Sequence, residues 1–116
     1  NGQLADCPDS PNCVLSQSTD PRHTISPIKY EGDPHEALRK LRELLVTMPG
    51  MQLVTTKETY LHAVATSPLF RFRDDVEFVV DPDASVIHCR SASRVGYSDI
   101  EANRQRLEAI RHAYSR

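Results

Sequence analysis

No apolar run in this sequence is longer than three residues; the longest are 44–46, 63–65 and 78–80. A membrane-crossing helix needs about twenty, so none is encoded here. Positive charge is not in excess either. Lys and Arg number 14 against 16 Asp and Glu, a net charge of −2. That balance gives no electrostatic footprint for nucleic acid. The chemical signatures that identify an enzyme at sight are missing. There is no nucleophile elbow, no HExxH zinc helix and no phosphate-cradling glycine loop, with only 4 glycines in the chain. The opening Asn1-Gly2-Gln3-Leu4-Ala5-Asp6-Cys7 lacks the basic and apolar regions of a signal peptide. What is present is 116 residues, 39% hydrophobic and 26% charged. That composition fits one folded domain, not a disordered chain.

There are 3 cysteines. Cys7 and Cys13 flank Pro8-Asp9-Ser10-Pro11-Asn12, a segment of turn residues. Such a segment can fold back and bring the two Cα atoms within disulfide reach. Compartment logic then predicts a Cys7–Cys13 bond and an exported chain, with an export signal ahead of Asn1. The alternatives are two reduced thiols in a loop, or a zinc site. The spacing is wide for zinc and only His23 lies nearby as a further ligand. Cys89 shares its parity with Ile87, which predicts a core-facing thiol acting as a small hydrophobe.

Residues 1–27 are rich in Pro, Ser, Asp and Asn without periodicity, and read as an irregular N-terminal arm carrying the disulfide. Residues 28–116 read as a single α+β domain. A first strand is expected within 23–30, with Pro27 marking an edge or bulge. The first helix opens with Asp33 as N-cap, Pro34 at N1 and Glu36 at N3. Ala37, Leu38, Leu41, Leu44, Leu45 and Met48 lie within about 60° of Leu41 on a helical wheel. Pro49-Gly50 is the expected stop. The period then changes to two, predicting strands at 51–56, 59–66, 76–81 and 86–92. A second capping box at Ser98-Asp99-Ile100-Glu101 starts the last helix, with Ile100, Leu107, Ile110 and Tyr114 as its apolar stripe. Asn103 falls inside that stripe and must find a hydrogen-bond partner. The fold class is therefore a two-layer α+β sandwich in β-α-β-β-β-β-α order. An antiparallel sheet of four to five strands carries two helices on one face.

A four-residue loop at 82–85 sets Asp81 against Val86, Val79 against His88 and Glu77 against Arg90. Glu77 and Arg90 then share a polar sheet face that no helix covers. The same pairing brings Asp74 and Asp75 close to Ser93 and Arg94. Three readings follow. An ion-pair network would fasten this strand-to-helix corner. A binding site would use Arg71, Asp74, Asp75, Glu77, Arg90, Ser93, Arg94, Tyr97 and Asn103 to hold a small anionic or polar ligand. A small hydrolase would use the Asp74, Asp75 and Glu77 carboxylates as acid and base. His62 and His88 are candidates to share the open face with Glu77. No cofactor or metal is expected.

The motifs Cys7-Pro-Asp-Ser-Pro-Asn-Cys13-Val, Phe70-Arg-Phe-Arg-Asp-Asp-Val-Glu-Phe78, Val86-Ile-His and Arg90-Ser-Ala-Ser-Arg-Val-Gly-Tyr-Ser-Asp99 with Asn103-Arg104 resemble the domain of unknown function family numbered 1499. The resemblance spans nearly the whole chain. It implies a small protein of bacteria or chloroplasts, often carrying an export or lipoprotein signal ahead of the cysteine-containing arm. Cys89 stands where that family's pattern has an aliphatic residue, which supports a packing role and leaves Cys7 and Cys13 as the pair. The expectation is a periplasmic or envelope-anchored binding or accessory module, touching a membrane only through an anchor outside these residues. No nucleic-acid partner is expected.

Overall fold

The computed structural model describes residues 2–9, 12–68, 71–94 and 100–116. Six strands and two helices follow one another as β1 (Cys13–Leu15), β2 (Ile28–Lys29), α1 (Pro34–Leu45), β3 (Met51–Thr56), β4 (Tyr60–Thr66), β5 (Arg73–Asp81), β6 (Val86–Ser93) and α2 (Ile100–Tyr114). They form one antiparallel sheet in the order β1-β6-β5-β4-β3, with β2 also pairing β6. The α+β class is the expected one, and the sheet has six strands where four to five were expected. The additional strand is β1, drawn from the arm. All three of its residues are buried, and it pairs Cys13 with Ala92, Val14 with Ser91 and Leu15 with Arg90. Three residues are too few to show a period. Of the stretch 23–30, only Ile28–Lys29 is strand.

In α1 the Asp33 carboxylate accepts the Glu36 amide at 2.9 Å, as its N-cap role requires. Ala37, Leu38, Leu41 and Leu45 are buried. The helix ends four residues earlier than Pro49. Thr47 and Met48 donate to Leu44 and Leu45 carbonyls, tightening the last turn into i→i+3 bonds. Met48 still packs on the core from that turn. Gly50 makes the reversal into β3. Its φ is +76°, and a Cβ there would sit 2.6 Å from the Thr66 carbonyl oxygen.

Alternation along the strands then sorts the side chains. Leu61, Ala65, Val76, Phe78, Val80, Ile87 and Cys89 meet Leu38, Leu41 and Leu45 of α1 and Leu107, Ile110 and Tyr114 of α2 in one core. Both helices thus cover the same face. The other face carries a smaller cluster, in which Leu4 of the arm packs on Leu15 and Val79 beside Cys7 and Tyr60.

Candidate functional site

The β5–β6 hairpin has the register read from its loop length. Asp81 opposes Val86, Val79 opposes His88, Glu77 opposes Arg90 and Asp74 opposes Ser93. On its other side β5 sets Glu77 against His62 and Asp75 against Val64. His62, Glu77 and Arg90 therefore stand in one row across three strands on the helix-free face. Tyr60 donates to Glu77 Oε2 at 2.5 Å, and Arg90 Nη1 reaches Glu77 Oε1 at 3.4 Å. Arg90 Nη2 also reaches the Asp6 carbonyl at 3.4 Å, tying the arm to this row. One row further along, Asp75 accepts from Arg94 Nε and Nη2, both at 3.0 Å, and bonds His62 Nε2 at 2.8 Å. The Arg94 bonds hold the Asp75 carboxyl below the usual carboxylate range; partial burial opposes this and the His62 bond adds to it. Burial, then the bond to Glu77, pushes the Tyr60 phenol up.

Across the sheet the chemistry is different. Asp74 is buried and pairs with Arg106 of α2 at 2.8 Å. Asn103, fully buried, accepts from the Ser91 hydroxyl at 2.7 Å and donates to Ser93 Oγ at 3.1 Å and the Asn12 carbonyl at 3.2 Å. Arg106 Nη1 adds bonds to Ser91 Oγ at 3.1 Å and Asn103 Oδ1 at 3.0 Å. This polar cluster joins β1, β5, β6 and α2 from inside. Asp74 Oδ1 has no hydrogen-bond partner among the described residues.

The arm that crosses the open face is closed by a disulfide between Cys7 and Cys13, with Cα atoms 5.6 Å apart. Cys89 is the free thiol, buried in the core, where desolvation pushes it up to about 12. The sequence pattern of one family, described as Protein of unknown function (DUF1499), matches residues 3–114. The chain belongs to DUF1499. A search of curated proteins found no match.

Within this DUF1499 chain the eight described candidate site residues do not all share one face of the sheet. The pleat sends Asp75, Glu77, Arg90 and Arg94 to the open face. It sends Asp74 and Ser93 to the helix side, where Asn103 meets them. Arg71 precedes β5, with φ +60°, and lines a groove of about 480 Å³ with Pro49, Gly50, Gln52 and Thr66 among others. Tyr97, like Ser98, Asp99 and Phe70, lies outside the described residues. The division follows from Asp74 and Asp75 being adjacent, since neighbours in a strand point to opposite faces.

Three contributors carry no local signal in the sequence. Tyr60 joins Glu77 only through the β4–β5 register, which the hairpin argument did not reach. Arg106 carries no signal in the sequence, because the hairpin pairing sets Asp74 beside Ser93 and Arg94 without bringing α2 to it. Ser16 bonds His88 Nδ1 at 3.0 Å while His88 Nε2 lies 3.4 Å from Asp81. These are the residue types of a nucleophile-base-acid relay. However, Ser16 Oγ also accepts the Cys89 amide at 2.9 Å, and its own amide donates to the Cys89 carbonyl. That extends the β1–β6 ladder and gives Ser16 Oγ a structural role in it. Among the described residues there is no cluster of metal-ligating side chains.

Proposed function

We propose that this DUF1499 chain is a non-catalytic small-ligand-binding or accessory module of the cell envelope, with the open face of β4–β6 as its binding surface. The observation that carries the reading is the state of the carboxylates. Asp74, Asp75 and Glu77 each sit against a guanidinium, from Arg106, Arg94 and Arg90. A general acid needs a carboxyl kept protonated near neutral pH, and Asp75 is displaced the other way. Paired side chains held in place by strands suit recognition instead, because little side-chain entropy remains to be lost on binding. Location in an oxidising compartment is supported by the Cys7–Cys13 bond, since such bonds persist outside the reducing cytosol.

The test is a thermal-shift screen of small polar molecules of the envelope, run in parallel on the native chain and on Arg94→Ala. The reading expects a ligand that stabilises the native chain, moves the amide resonances of β4–β6, and loses its effect in the variant while the unliganded melting point stays nearly constant. A screen in which every stabilising compound acts away from this face overturns it. Fractionating cells that produce the protein from its own upstream sequence tests the compartment; a cytosolic pool with three reduced thiols rejects it.

A further inference from the structure

The charged side chains of β4, β5 and β6 on the open face are matched one to another, with a single exception. Glu77 has Arg90, Asp75 has Arg94 and His62, and Asp81 has His88. The exception is Arg73. It is exposed, and its side chain makes no hydrogen bond or ion pair among the described residues. Its position makes this unusual. The pairing of Asp74 with Ser93 sets Arg73 opposite Arg94, and the Arg94 amide donates to the Arg73 carbonyl at 3.1 Å. Arg73 alternates with Asp75 and Arg94 contacts Asp75, so both guanidinium groups belong to the open face. Like charges directly opposite on neighbouring strands destabilise the pair. On its other flank Arg73 opposes Thr66, which lines the groove of about 480 Å³ shared with Arg71. Arg71, Arg73 and Arg94 thus belong to one end of the sheet, with Asp75 as the carboxylate bonded to Arg94. This is a local positive site on a chain of net charge −2. Its groove is lined otherwise by uncharged residues, including Pro49, Met51, Gln52 and Ser67.

We infer that Arg73 and Arg94, with Arg71 at the groove's lip, form an oxyanion site that takes the phosphoryl group of a small phosphate ester or headgroup. Planar guanidinium forks match the oxygens of such a group two at a time. An anion between Arg73 and Arg94 converts their mutual repulsion into attraction. Asp75 holds Arg94 in place through its Nε and Nη2, so Arg94 offers its Nη1 edge to the anion and Arg73 its whole fork. The neighbouring groove accommodates the uncharged remainder of the ligand. This inference rests on the binding reading above and adds the ligand class and Arg73.

The experiment titrates inorganic phosphate, glycerol phosphate and, as control, chloride at constant ionic strength into the full chain, following melting temperature and amide resonances. A second arm measures sedimentation with phosphatidylglycerol vesicles. Saturable stabilisation by either phosphate, with shifts at Arg73 and Arg94, is the expected result. Arg73→Gln should weaken it about tenfold, and Arg73→Lys should recover part. Without ligand, Arg73→Gln should melt at or slightly above the native temperature, which separates lost binding from lost folding. Vesicle binding abolished by Arg73→Gln, in place of a soluble response, assigns the group to a lipid headgroup. Phosphates acting no differently from chloride and no Arg73-dependent vesicle binding overturn the inference. Equal phosphate responses in Arg73→Gln and native protein also overturn it. A neutral ligand that moves the Tyr60 and His62 resonances would then leave the binding reading standing alone.

Discussion

Replacing Asp74 with alanine should cost far more stability than replacing Arg94, although both sit within one short corner. The Asp74 side chain is 4% exposed and its partner Arg106 18%. Deleting one member of a buried pair costs about 3–5 kcal/mol. Two features place this site toward the low end. Arg106 keeps its bonds to Ser91 and Asn103, and the buried Asp74 Oδ1, which has no partner, disappears with the substitution and returns about 1 kcal/mol. The net loss expected is about 2–3 kcal/mol. With a urea m-value of about 1.5 kcal/mol/M, the midpoint falls by about 1.5 M. Arg94 is 44% exposed against Asp75 at 28%. A solvated pair of that kind contributes little to stability, a midpoint change of about 0.7 M or less. Urea denaturation followed by circular dichroism, with m held constant, measures both. A double-mutant cycle of Asp74→Ala with Arg106→Met should show a coupling of about 1 kcal/mol or more. Equal losses for Asp74→Ala and Arg94→Ala, or a cycle with no coupling, would refute the division of this corner into a structural inner side and a solvated outer side.

Unfolding the native protein without reductant should expose one reactive thiol, Cys89, and the folded protein none, because Cys89 is buried and its thiol pushed up to about 12. Cys7→Ser with Cys13→Ser should lower stability by about 2 kcal/mol through the short loop the bond closes, read as a lower urea midpoint. Gly50→Ala should cost more than about 1 kcal/mol, since the residue has φ +76° and its Cβ would meet the Thr66 oxygen at 2.6 Å. The depressed Asp75 carboxyl should contribute stability fully above its unfolded value of about 3.9 and lose it as pH falls through the lower folded value. The stability gap between native protein and Asp75→Asn should therefore stay level from neutral pH to about pH 5 and close in more acidic buffer.

Much of the architecture was legible because particular residues carry more than one signal. Asp33, Pro34 and Glu36 fix a helix start, and the leucine spacing fixes the buried side. The turn at Pro82-Asp83-Ala84-Ser85 fixes a register, and from it follows the Glu77–Arg90 pair, while the parity Cys89 shares with Ile87 turns its thiol inward. Asn103 was legible as a constraint: a polar residue in an apolar stripe demands partners, and Ser91, Ser93 and Asn12 supply them. What could not be read depends on contacts distant in sequence with no local signature. β1 is three residues long and exists because β6 offers it an edge. The premature end of α1 depends on how its last turn tightens. Tyr60 reaches Glu77 by virtue of strand pairing that no turn in the sequence determines.

The candidate site shows where this kind of reading stops. The run Arg71-Phe72-Arg73-Asp74-Asp75-Val76-Glu77 looks like one cluster on paper, and the hairpin does set Asp74 opposite Ser93 and Asp75 against Arg94. Alternation then splits it: Asp74 joins the apolar residues Val76 and Phe78, while Arg73, Asp75 and Glu77 face out. A carboxylate can be accepted on the apolar side because α2 brings Arg106 there, and without that guanidinium the charge would be too costly to bury. The same α2 carries Asn103, so one helix supplies both partners of the inner cluster. The outer side has no helix and must be balanced by the strands themselves. On β4, β5 and β6 the described charged side chains are balanced except at Arg73, the position from which recognition of an oxyanion is argued.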